Sequence, residues 1–504
     1  MAAVDLTELA PTDAAALRQF GLALHEAGKL AEAVKIYRQV TTIDPTDVTI
    51  LNNLCACLCN LGRFDEATAA CERALALDPD HAKALVNRGV IFEQQNDIEA
   101  AIDAYRSAIE ADPDDADGHA NLAVALHKTG AIEAALAASH RAVALAAEHP
   151  LVRSNHAAIL LNKGEIDAAL SESRHAVKLA PSNPTIRFNH SHLLLLCGDL
   201  KNGFSDYRWR RKWAGLFSSK LNFRAPEWQG EAFVGRTLLL FAEQGIGDVL
   251  QFIRYLPMVA AGGGEILLYV QDTLVPLLRQ LPRVTVIPRN APLPPFDLQA
   301  SVMDLPHLFG TTLGSIPSDI PYLRADPARV ETWRRAFRDV AALKVGVVWA
   351  GSPTHKGDRF RSLAAEAVLP RLVMRGVQLF SLQKEPRLAD MPVIAGLGSD
   401  VIDLAPRLDN FADTAAAVAA LDLVISVDTS VVHLAGAMGR PAWVLLPHAQ
   451  DWRWLRDRED SPWYPSLRLF RQEKPQAWDG VVARVAMELE QLARTRSSRH
   501  GIRC

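Results

Sequence analysis

Three polar residues, Asp428, Thr429 and Ser430, interrupt a long stretch of apolar side chains in the last fifth of the sequence. Side chains of these types favour turns and helix caps, and here they stand directly before a segment with helical spacing. The first turn of a helix offers free N–H groups and a positive dipole, which together bind anions such as phosphate. His433, one turn further on, is a base, a phosphate contact or a packed helix residue, and we favour the phosphate contact. This group of residues therefore predicts an anion-binding site.

The segments around this polar group predict a βαβ unit. The run Leu421–Val427 is apolar and rich in β-branched residues, which is typical of a strand buried on both faces. Val431–Met438 has helical spacing, Gly439 and Pro441 end that helix, and Ala442–Leu446 is a second apolar run. Ligands of parallel sheets bind beyond the carboxyl ends of the strands. The polar group occupies that position.

A loop with two glycines follows another predicted strand, Thr237–Phe241. Gly245 and Gly247 allow the backbone to approach a ligand closely, and Asp248 stands at the start of a helix predicted to end at Tyr255. The residues leave two interpretations of Asp248 open, a catalytic base or a helix N-cap. Two glycines alone indicate a dinucleotide only weakly, and the full fingerprint is absent.

A cationic loop follows a third predicted strand, Val345–Ala350. It contains Lys356 and Arg361, and a cluster of this kind suits a diphosphate because arginine can form paired hydrogen bonds to phosphate. A solvated surface loop is the alternative. Gln383 and Lys384 follow the next predicted strand and are candidate contacts to the base or ribose of a nucleotide. Two α/β lobes, each with a polar loop after its first strand, predict a ligand cleft between them.

The first two hundred residues contain a repeat with a period of 34 residues. A small residue at a turn, an alanine five residues later and a proline at the end of each repeat are typical of tetratricopeptide repeats, which are pairs of antiparallel helices that stack. The resemblance covers about residues 14–205 and predicts five or six repeats. The positions that carry it are Gly28, Gly62, Asn96, Gly130, Gly164 and Gly198; Ala33, Ala67, Ala101, Ala135 and Ala169; and Pro45, Pro79, Pro113 and Pro181.

A row of asparagines has the same period, one in the first helix of each repeat: Asn53, Asn87, Asn121, Asn155 and Asn189. One interpretation is that these amides connect each repeat to the next. The other is that they line a groove and pair with the backbone of an extended polypeptide, whatever its side chains. Five asparagines in register favour the second interpretation. The row resembles the asparagine ladder of the O-GlcNAc transferase superhelix, which implies a bound acceptor polypeptide.

Residues 206–235 form a segment of different composition, with Trp209, Trp213 and Trp228 and a basic run at positions 208–212. Interleaved aromatic and basic residues occur in nucleic-acid-binding segments. After a helical repeat array, the same composition is typical of a capping and interdomain segment, in which arginine stems cover buried tryptophans. We favour the capping segment.

Composition excludes several classes. The 504 residues carry a net charge of −4, which does not suggest a general nucleic-acid or membrane-surface binder. No run approaches the roughly 20 apolar residues of a membrane span, and the N-terminus has neither the basic nor the apolar segment of a signal peptide. Cys55, Cys57 and Cys59 point different ways around a helix, so we expect buried thiols and no metal site. These features predict a cytoplasmic protein.

Three segments together resemble one family. GIGDVLQFIRYLP, VGVVWAGSP with the following HKGDRFRS loop, and DTSVVHLAGAMGRPAWVLLP are similar to segments of the heptosyltransferase-like glycosyltransferases with the GT-B fold, over roughly residues 225–490. The chain resembles more closely the bacterial proteins that join tetratricopeptide repeats to such a domain. The resemblance implies an all-α repeat superhelix followed by two Rossmann-type α/β lobes. The implied domains are residues 1–205, the capping segment 206–235, and lobes at 236–335 and 340–495.

The resemblance also implies an activity. Glycosyltransferases of this type invert the sugar, need no metal and use a nucleotide-sugar as co-substrate rather than a resident cofactor, because helix dipole and cationic side chains stabilise the leaving phosphate. By this likeness Asp428, Thr429 and Ser430 contact the donor, although the family often has glycine in place of Ser430. Asp248 matches the acid of the family's glycine loop, the candidate base.

The acceptor is less constrained by the resemblance. The first lobe is shorter than in heptosyltransferases, and a peptide-binding superhelix stands before it, so we expect a polypeptide acceptor such as a bacterial flagellar or surface protein. Two alternatives remain open. One is sugar transfer to a lipopolysaccharide or polysaccharide precursor. The other is a non-catalytic repeat scaffold, against which the retention of Asp248, Lys356, Arg361, Asp428 and Thr429 argues.

Overall fold

The computed structural model describes residues 13–212, 223–355 and 357–501. The chain divides between Ile186 and Arg187 into two compact units. Trp213 and Lys356, both singled out in the sequence, lie outside the described residues. Across the ranges above, no helix combines the length and the apolar composition needed to cross a lipid bilayer.

The first unit is built from antiparallel helix pairs, as the repeat predicts. Its helices are α1 (Ala14–Glu26), α2 (Leu30–Ile43), α3 (Val48–Asn60), α4 (Phe64–Leu77), α5 (Ala82–Gln94), α6 (Ile98–Ala111), α7 (Ala116–Thr129), α8 (Ile132–Leu145), α9 (Pro150–Lys163) and α10 (Ile166–Leu179); α11 (Pro184–Leu196) begins in it and continues in the second unit.

The repeated residues have clear physical roles in these helix pairs. Each turn residue adopts positive φ, which glycine does without strain; the values run from 62° at Asn96 to 92° at Gly164. The repeated alanines are fully buried between the helices. An ideal Cβ on Gly89 would lie 2.4 Å from the Tyr105 ring, so this ring packs in the space that a side chain at position 89 would need. The predicted all-helical repeat array is confirmed.

The second unit opens with α11 and α12 (Leu200–Tyr207) and then forms a four-stranded parallel sheet in the order β3-β2-β1-β4. The strands are β1 (Thr237–Phe241), β2 (Glu265–Val270), β3 (Thr285–Pro288) and β4 (Leu298–Ser301). The helices of this first lobe are α13 (Ile246–Phe252), α14 (Leu256–Ala260), α15 (Val275–Leu278) and α16 (Leu305–Leu308), and α17 (Pro327–Ala336) leads to the second lobe.

The second lobe has a six-stranded parallel sheet in the order β10-β9-β8-β5-β6-β7. Its strands are β5 (Leu343–Val348), β6 (Val377–Ser381), β7 (Val401–Asp403), β8 (Leu423–Val427), β9 (Ala442–Leu446) and β10 (Leu467–Arg471). Its helices are α18 (Asp358–Arg361), α19 (Ala365–Leu372), α20 (Met391–Leu397), α21 (Phe411–Ala420), α22 (Ser430–Ala437) and α23 (Trp478–Gly501). The central strand β8 is buried along its whole length, as its β-branched run predicts.

The pair of parallel α/β lobes confirms the predicted fold class. The strands predicted at Thr237–Phe241 and Ala442–Leu446 have the predicted bounds, and the helix predicted at Val431–Met438 begins and ends one residue earlier. The helix predicted to run to Tyr255 ends at Phe252 and continues as a 3-10 turn.

The described parts of the segment between the repeats and the first sheet, residues 206–212 and 223–235, contact the first lobe. Trp228 is buried and its Nε1 donates to the carbonyl of Glu231 at 2.7 Å. Arg210 is fully buried and forms ion pairs with Glu243 and Asp304. Lys212 covers the Trp209 ring at 4.1 Å. These aromatic and basic residues thus contact other parts of the protein, and the role of residues 206–235 as a capping segment stays a prediction.

Candidate functional site

A cleft of about 740 Å³ opens inside the second unit, lined by the loops that follow β1, β5 and β8. The carboxyl ends of these strands bring both sheets to one place, where ligands of parallel α/β sheets bind. Its volume is in the range of small-molecule sites. The residues predicted from sequence that line it are Gly245, Gly247, Asp248, Arg361, Asp428, Thr429, Ser430 and His433.

The N-terminus of α22 faces this cleft. Thr429 is its N-cap residue, but the Thr429 side chain makes no capping hydrogen bond; its Oγ1 lies 3.0 Å from the Ser426 hydroxyl instead. The first N–H groups of a helix have no partner within the helix. In α22 the Val432 N–H donates to the Thr429 carbonyl at 3.1 Å, so the N–H groups of Ser430 and Val431 are the ones available to an anion.

Arg361 lies beside this helix terminus. Its Nη1 donates to the carbonyl of Asp428 at 2.9 Å, and its Nε lies 3.4 Å from the Asp358 carboxylate. Asp358 is held in turn by the Ser362 hydroxyl at 2.8 Å and by Arg387 at 2.6 Å. The guanidinium is thus fixed next to the first turn of α22, with a fifth of its side chain exposed to the cleft (20%).

Asp428 and His433 form a buried pair with opposite pKa shifts. The His433 Nε2 lies 3.9 Å from the Asp428 carboxylate, and its Nδ1 lies 3.0 Å from the Tyr464 hydroxyl. Burial lowers the pKa of His433 to about 3, with nearby Arg453 adding to the effect, so the imidazole is neutral at neutral pH. Burial raises the pKa of Asp428 to about 6, and the Asp451 carboxylate raises it further.

The glycine loop brings the first lobe onto this helix. An ideal Cβ on Gly247 would lie 2.8 Å from His433 Cδ2 and 3.6 Å from Ser430 Cα. Glycine at this position therefore lets α13 lie directly against α22. Position 247 therefore needs glycine because two helices approach closely there. The sequence predicts glycine at this position for a different reason, a close approach of the backbone to a ligand.

Both oxygens of the Asp248 carboxylate have protein partners. Oδ2 accepts from the Gly245 N–H at 2.8 Å, and Oδ1 forms an ion pair with Arg453. Burial raises the pKa of Asp248, against the opposing effect of Arg453. Gly245 is the N-cap residue of α13 and Asp248 is the third residue of the helix, so the interpretation of Asp248 as the N-cap is wrong; its carboxylate instead accepts from the N–H of the N-cap residue. The role of Asp248 as base stays a prediction.

Arg453 is a site residue that the sequence did not reveal. Its Nε donates to Gln251 at 2.8 Å, Nη1 to Asp451 at 2.7 Å and Nη2 to Asp248, so one guanidinium joins α13 to the second lobe. Burial opposes its charge, but the two carboxylates outweigh burial and raise its pKa. The only sequence signal was its position between Trp452 and Trp454, which favours packing.

The helix pair α11–α12 also contributes to the cleft, through Phe188, His192 and Tyr207. The Tyr207 hydroxyl lies 3.0 Å from the Gln244 side chain, which holds α12 against the glycine loop. Phe188 and His192 lie in the predicted repeat range, residues 14–205, and Tyr207 lies in the predicted capping segment, residues 206–235. No motif marks them, so only the three-dimensional arrangement places them at the site.

Two predicted contacts lie away from the cleft. The Gln383 amide is occupied by the backbone of Ala350, accepting from its N–H at 3.1 Å and donating to its carbonyl at 3.0 Å. The Lys384 ammonium donates to the carbonyl of Ala405 at 3.1 Å. The structure does not bring these side chains together with the other predicted donor contacts. Across the ranges given above, no group of three or more His, Cys, Asp or Glu residues has an arrangement that holds a metal ion.

The five asparagines lie in α3, α5, α7, α9 and α11, and each is half-buried. Asn87 connects neighbouring repeats, because its Nδ2 donates to Asn52 Oδ1 at 2.8 Å. That contact matches the packing interpretation at one position. Peptide binding by the row stays a prediction.

Comparisons with known proteins agree with both parts of the chain. Models of the tetratricopeptide repeat match residues 14–47, 59–116 and 94–150, and the model of glycosyltransferase family 9 (heptosyltransferase) matches residues 362–456. The chain thus combines tetratricopeptide repeats with a glycosyltransferase family 9 domain. The matched part of that domain contains Asp428, Thr429, Ser430 and His433.

A curated relative is Protein FlbA of Caulobacter vibrioides (strain ATCC 19089 / CIP 103742 / CB 15), which is 31% identical over 315 residues. The alignment covers 56% of this chain and 51% of FlbA, so the chain spans about half the length of that relative. Among solved structures, the tetratricopeptide protein TTC0263 of Thermus thermophilus is similar at 21% sequence identity. The match covers 36% of this chain and 99% of TTC0263, with a TM-score of 0.33. Pseudomonas aeruginosa pilF is similar at 20% sequence identity, and the match covers 40% of this chain and 92% of pilF with a TM-score of 0.35.

Proposed function

We propose that the cleft of the second unit transfers a sugar from a nucleotide-sugar to an acceptor. The observation that carries this proposal is the open N-terminus of α22 with Arg361 fixed beside it, in a domain of the glycosyltransferase family 9. A nucleotide-sugar has a diphosphate as its leaving group. Backbone N–H groups, a helix dipole and a guanidinium are the groups that bind diphosphate.

The transfer we propose is an inverting, metal-independent displacement. Charge develops on the diphosphate as the bond to the sugar breaks, and α22 and Arg361 stabilise that charge without reorganising. Thr429 and Ser430 contact the phosphates or the sugar. His433 is neutral, so its contact to a phosphate is a hydrogen bond without an ionic component. Lys356 belongs to the same proposed cationic loop.

The acceptor we propose is a polypeptide bound by the repeats. The half-buried asparagines of the first helices present amides that pair with the backbone of an extended chain. We infer a cytoplasmic location, where nucleotide-sugars are the common sugar donors. Bacterial flagellar and surface proteins modified before export are the client class that this combination suits. The domain boundaries predicted from sequence belong to the same proposal.

A saccharide acceptor is the alternative, and the heptosyltransferase description of the matching family favours it. In that case the repeats recruit partner proteins rather than the acceptor. The two proposals differ in what receives the label. A radiolabelled donor sugar incubated with whole-cell extract moves to protein in the first case and to glycolipid or polysaccharide in the second.

The experiment that tests the proposal is a thermal-shift screen of the full chain against nucleotides and nucleotide-sugars. A ligand that binds the folded state raises the melting temperature according to RT ln(1 + [L]/Kd). We expect one nucleotide class to raise it, and Arg361→Ala to remove that shift. Arg359→Ala is the control, since Arg359 is exposed on the same short helix and does not line the cleft. No shift with any member contradicts the proposal.

A further inference from the structure

His192 on α11 lines the same cleft as Arg361 and Asp428. Its Nδ1 lies 2.9 Å from the carbonyl oxygen of Phe188, one turn earlier. A carbonyl oxygen only accepts, so Nδ1 carries the proton and Nε2 has the lone pair of the neutral ring. Nε2 has no hydrogen-bond partner in the described part of the chain, and the ring is partly exposed. The tautomer is therefore set with the basic nitrogen free.

The surroundings hold this imidazole in place and keep it neutral. Its ring packs edge-on against Phe188, with centroids 4.6 Å apart, and against Tyr207 at 5.7 Å. Burial lowers the pKa of His192. The charged groups that act on it are the Asp451 carboxylate, which raises the pKa, and the Arg453 guanidinium, which lowers it. The ring is a rigid, neutral base at neutral pH.

The other titratable groups of the cleft have partners. The Asp248 carboxylate is bound by Arg453 and by the Gly245 N–H. His433 is held at Nδ1 by Tyr464 and packs closely against Gly247. Asp428 lies next to Arg361, on the side of the cleft where the diphosphate is proposed. His192 lies on a different element, α11, and lines the same cleft.

We propose that His192 is the catalytic base of the transfer, an inference that rests on the proposed function above. The acceptor hydroxyl gives its proton to Nε2 as its oxygen forms a bond to the anomeric carbon of the sugar. The bond from that carbon to the diphosphate oxygen breaks with its electron pair, which leaves with the nucleoside diphosphate. The imidazolium then returns its proton to solvent. No further reactant is needed.

The test measures release of nucleoside diphosphate by the full chain, with water as acceptor and the nucleotide-sugar that gives the largest thermal shift as donor. We expect His192→Ala and His192→Gln to lower the rate by roughly 10²–10⁴-fold, the usual contribution of a general base. We expect the donor-induced thermal shift to stay, because the proposed donor contacts are Arg361 and the N-terminus of α22. His307→Gln is the control, since His307 is partly exposed and lies outside the cleft.

Two further readouts separate a base from a structural residue. Added imidazole restores part of the rate to His192→Ala. The wild-type rate falls as pH is lowered through the pKa of His192, and the variants lose this dependence. Wild-type rates in both variants, or a folded His192→Ala that imidazole does not restore, overturn the inference alone. A wild-type chain that neither binds nor cleaves any nucleotide-sugar overturns the proposed function together with it.

Discussion

Arg453 and Asp248 form a buried ion pair that joins the two lobes of the second unit. The Asp248 carboxylate belongs to α13 of the first lobe, and the Arg453 guanidinium follows β9 of the second. Their side chains are only 17% and 10% exposed. One guanidinium with three partners thus connects α13 to the loop that follows β9, and both segments line the cleft.

Replacing Arg453 by alanine is expected to destabilise the second unit by about 3–5 kcal/mol, because it leaves buried carboxylates without a partner. Urea unfolding of the two proteins measures the loss. Arg458→Ala is the matched control, because its partner Asp460 is mostly exposed (69%) and surface pairs contribute about 0–1 kcal/mol. Equal losses in the two variants would show that the lobes do not depend on Arg453.

The raised pKa of Asp428 predicts a pH dependence of stability. A carboxyl with a folded-state pKa of about 6 binds its proton more tightly in the folded than in the unfolded chain. The stabilisation that protonation of Asp428 gives to the folded chain is present below the unfolded pKa, near 4, and is lost as pH rises through about 6. Asp428→Asn removes this loss, so its stability relative to wild type should increase from pH 4 to pH 7. A constant difference across that range would contradict the shift.

His433 predicts the opposite trend. Its folded-state pKa of about 3 lies below the unfolded value, so the folded chain binds fewer protons between about pH 3 and pH 6.5. The stability that this residue contributes is present above pH 6.5 and is lost as the pH falls. His433→Gln should therefore lose less stability than wild type between pH 7 and pH 4. Chemical unfolding at several pH values measures how the stability of wild type and of His433→Gln changes with pH.

Much of this architecture follows from the sequence. The 34-residue period reflects turns that need positive φ and alanines that are fully buried, and both are visible as residue types at fixed spacing. Apolar runs bounded by glycine and polar residues fixed the strands to within a residue or two. The polar group after β8 identified the helix terminus that faces the cleft.

The rest of the site comes from parts of the chain that are far apart in sequence. Arg453 lies 205 residues from Asp248, and nothing in its neighbourhood marks it as more than a packing residue. His192 lies in the predicted repeat range and Tyr207 in the predicted capping segment, and no motif marks either residue. Gln383 has the expected position after its strand, but its amide is occupied by the Ala350 backbone. The spacing of residue types along the sequence predicts helices and strands, whereas the hydrogen-bond partners of a side chain depend on tertiary packing.

Gly247→Ala tests the close approach of the two lobes. The new Cβ would lie 2.8 Å from a carbon of His433, whose ring stacks on Trp454 with centroids 5.5 Å apart and cannot easily move away. We expect a loss of about 1–3 kcal/mol, typical of overpacking, and a smaller ligand-induced thermal shift. Gly245→Ala is the control for the stability measurement alone, since its Cβ would meet only the Asp248 carboxylate, at 3.2 Å. Similar behaviour of the two variants would contradict the proposed fit.

The asparagine row gives a test that separates its two interpretations. Asn87 donates to Asn52, which is only 5% exposed, so Asn87→Ala leaves a buried amide without its partner and should cost about 1–3 kcal/mol of stability. Asn121 has the same place in its repeat, and no hydrogen bond of its side chain appears in the described part of the chain. Asn121→Ala should therefore melt like wild type and yet bind an extended acceptor polypeptide more weakly. Unfolding curves and labelling of protein by the donor sugar measure the two effects. If Asn121→Ala labels protein as well as wild type does, the row serves packing and the repeats hold the acceptor by other residues.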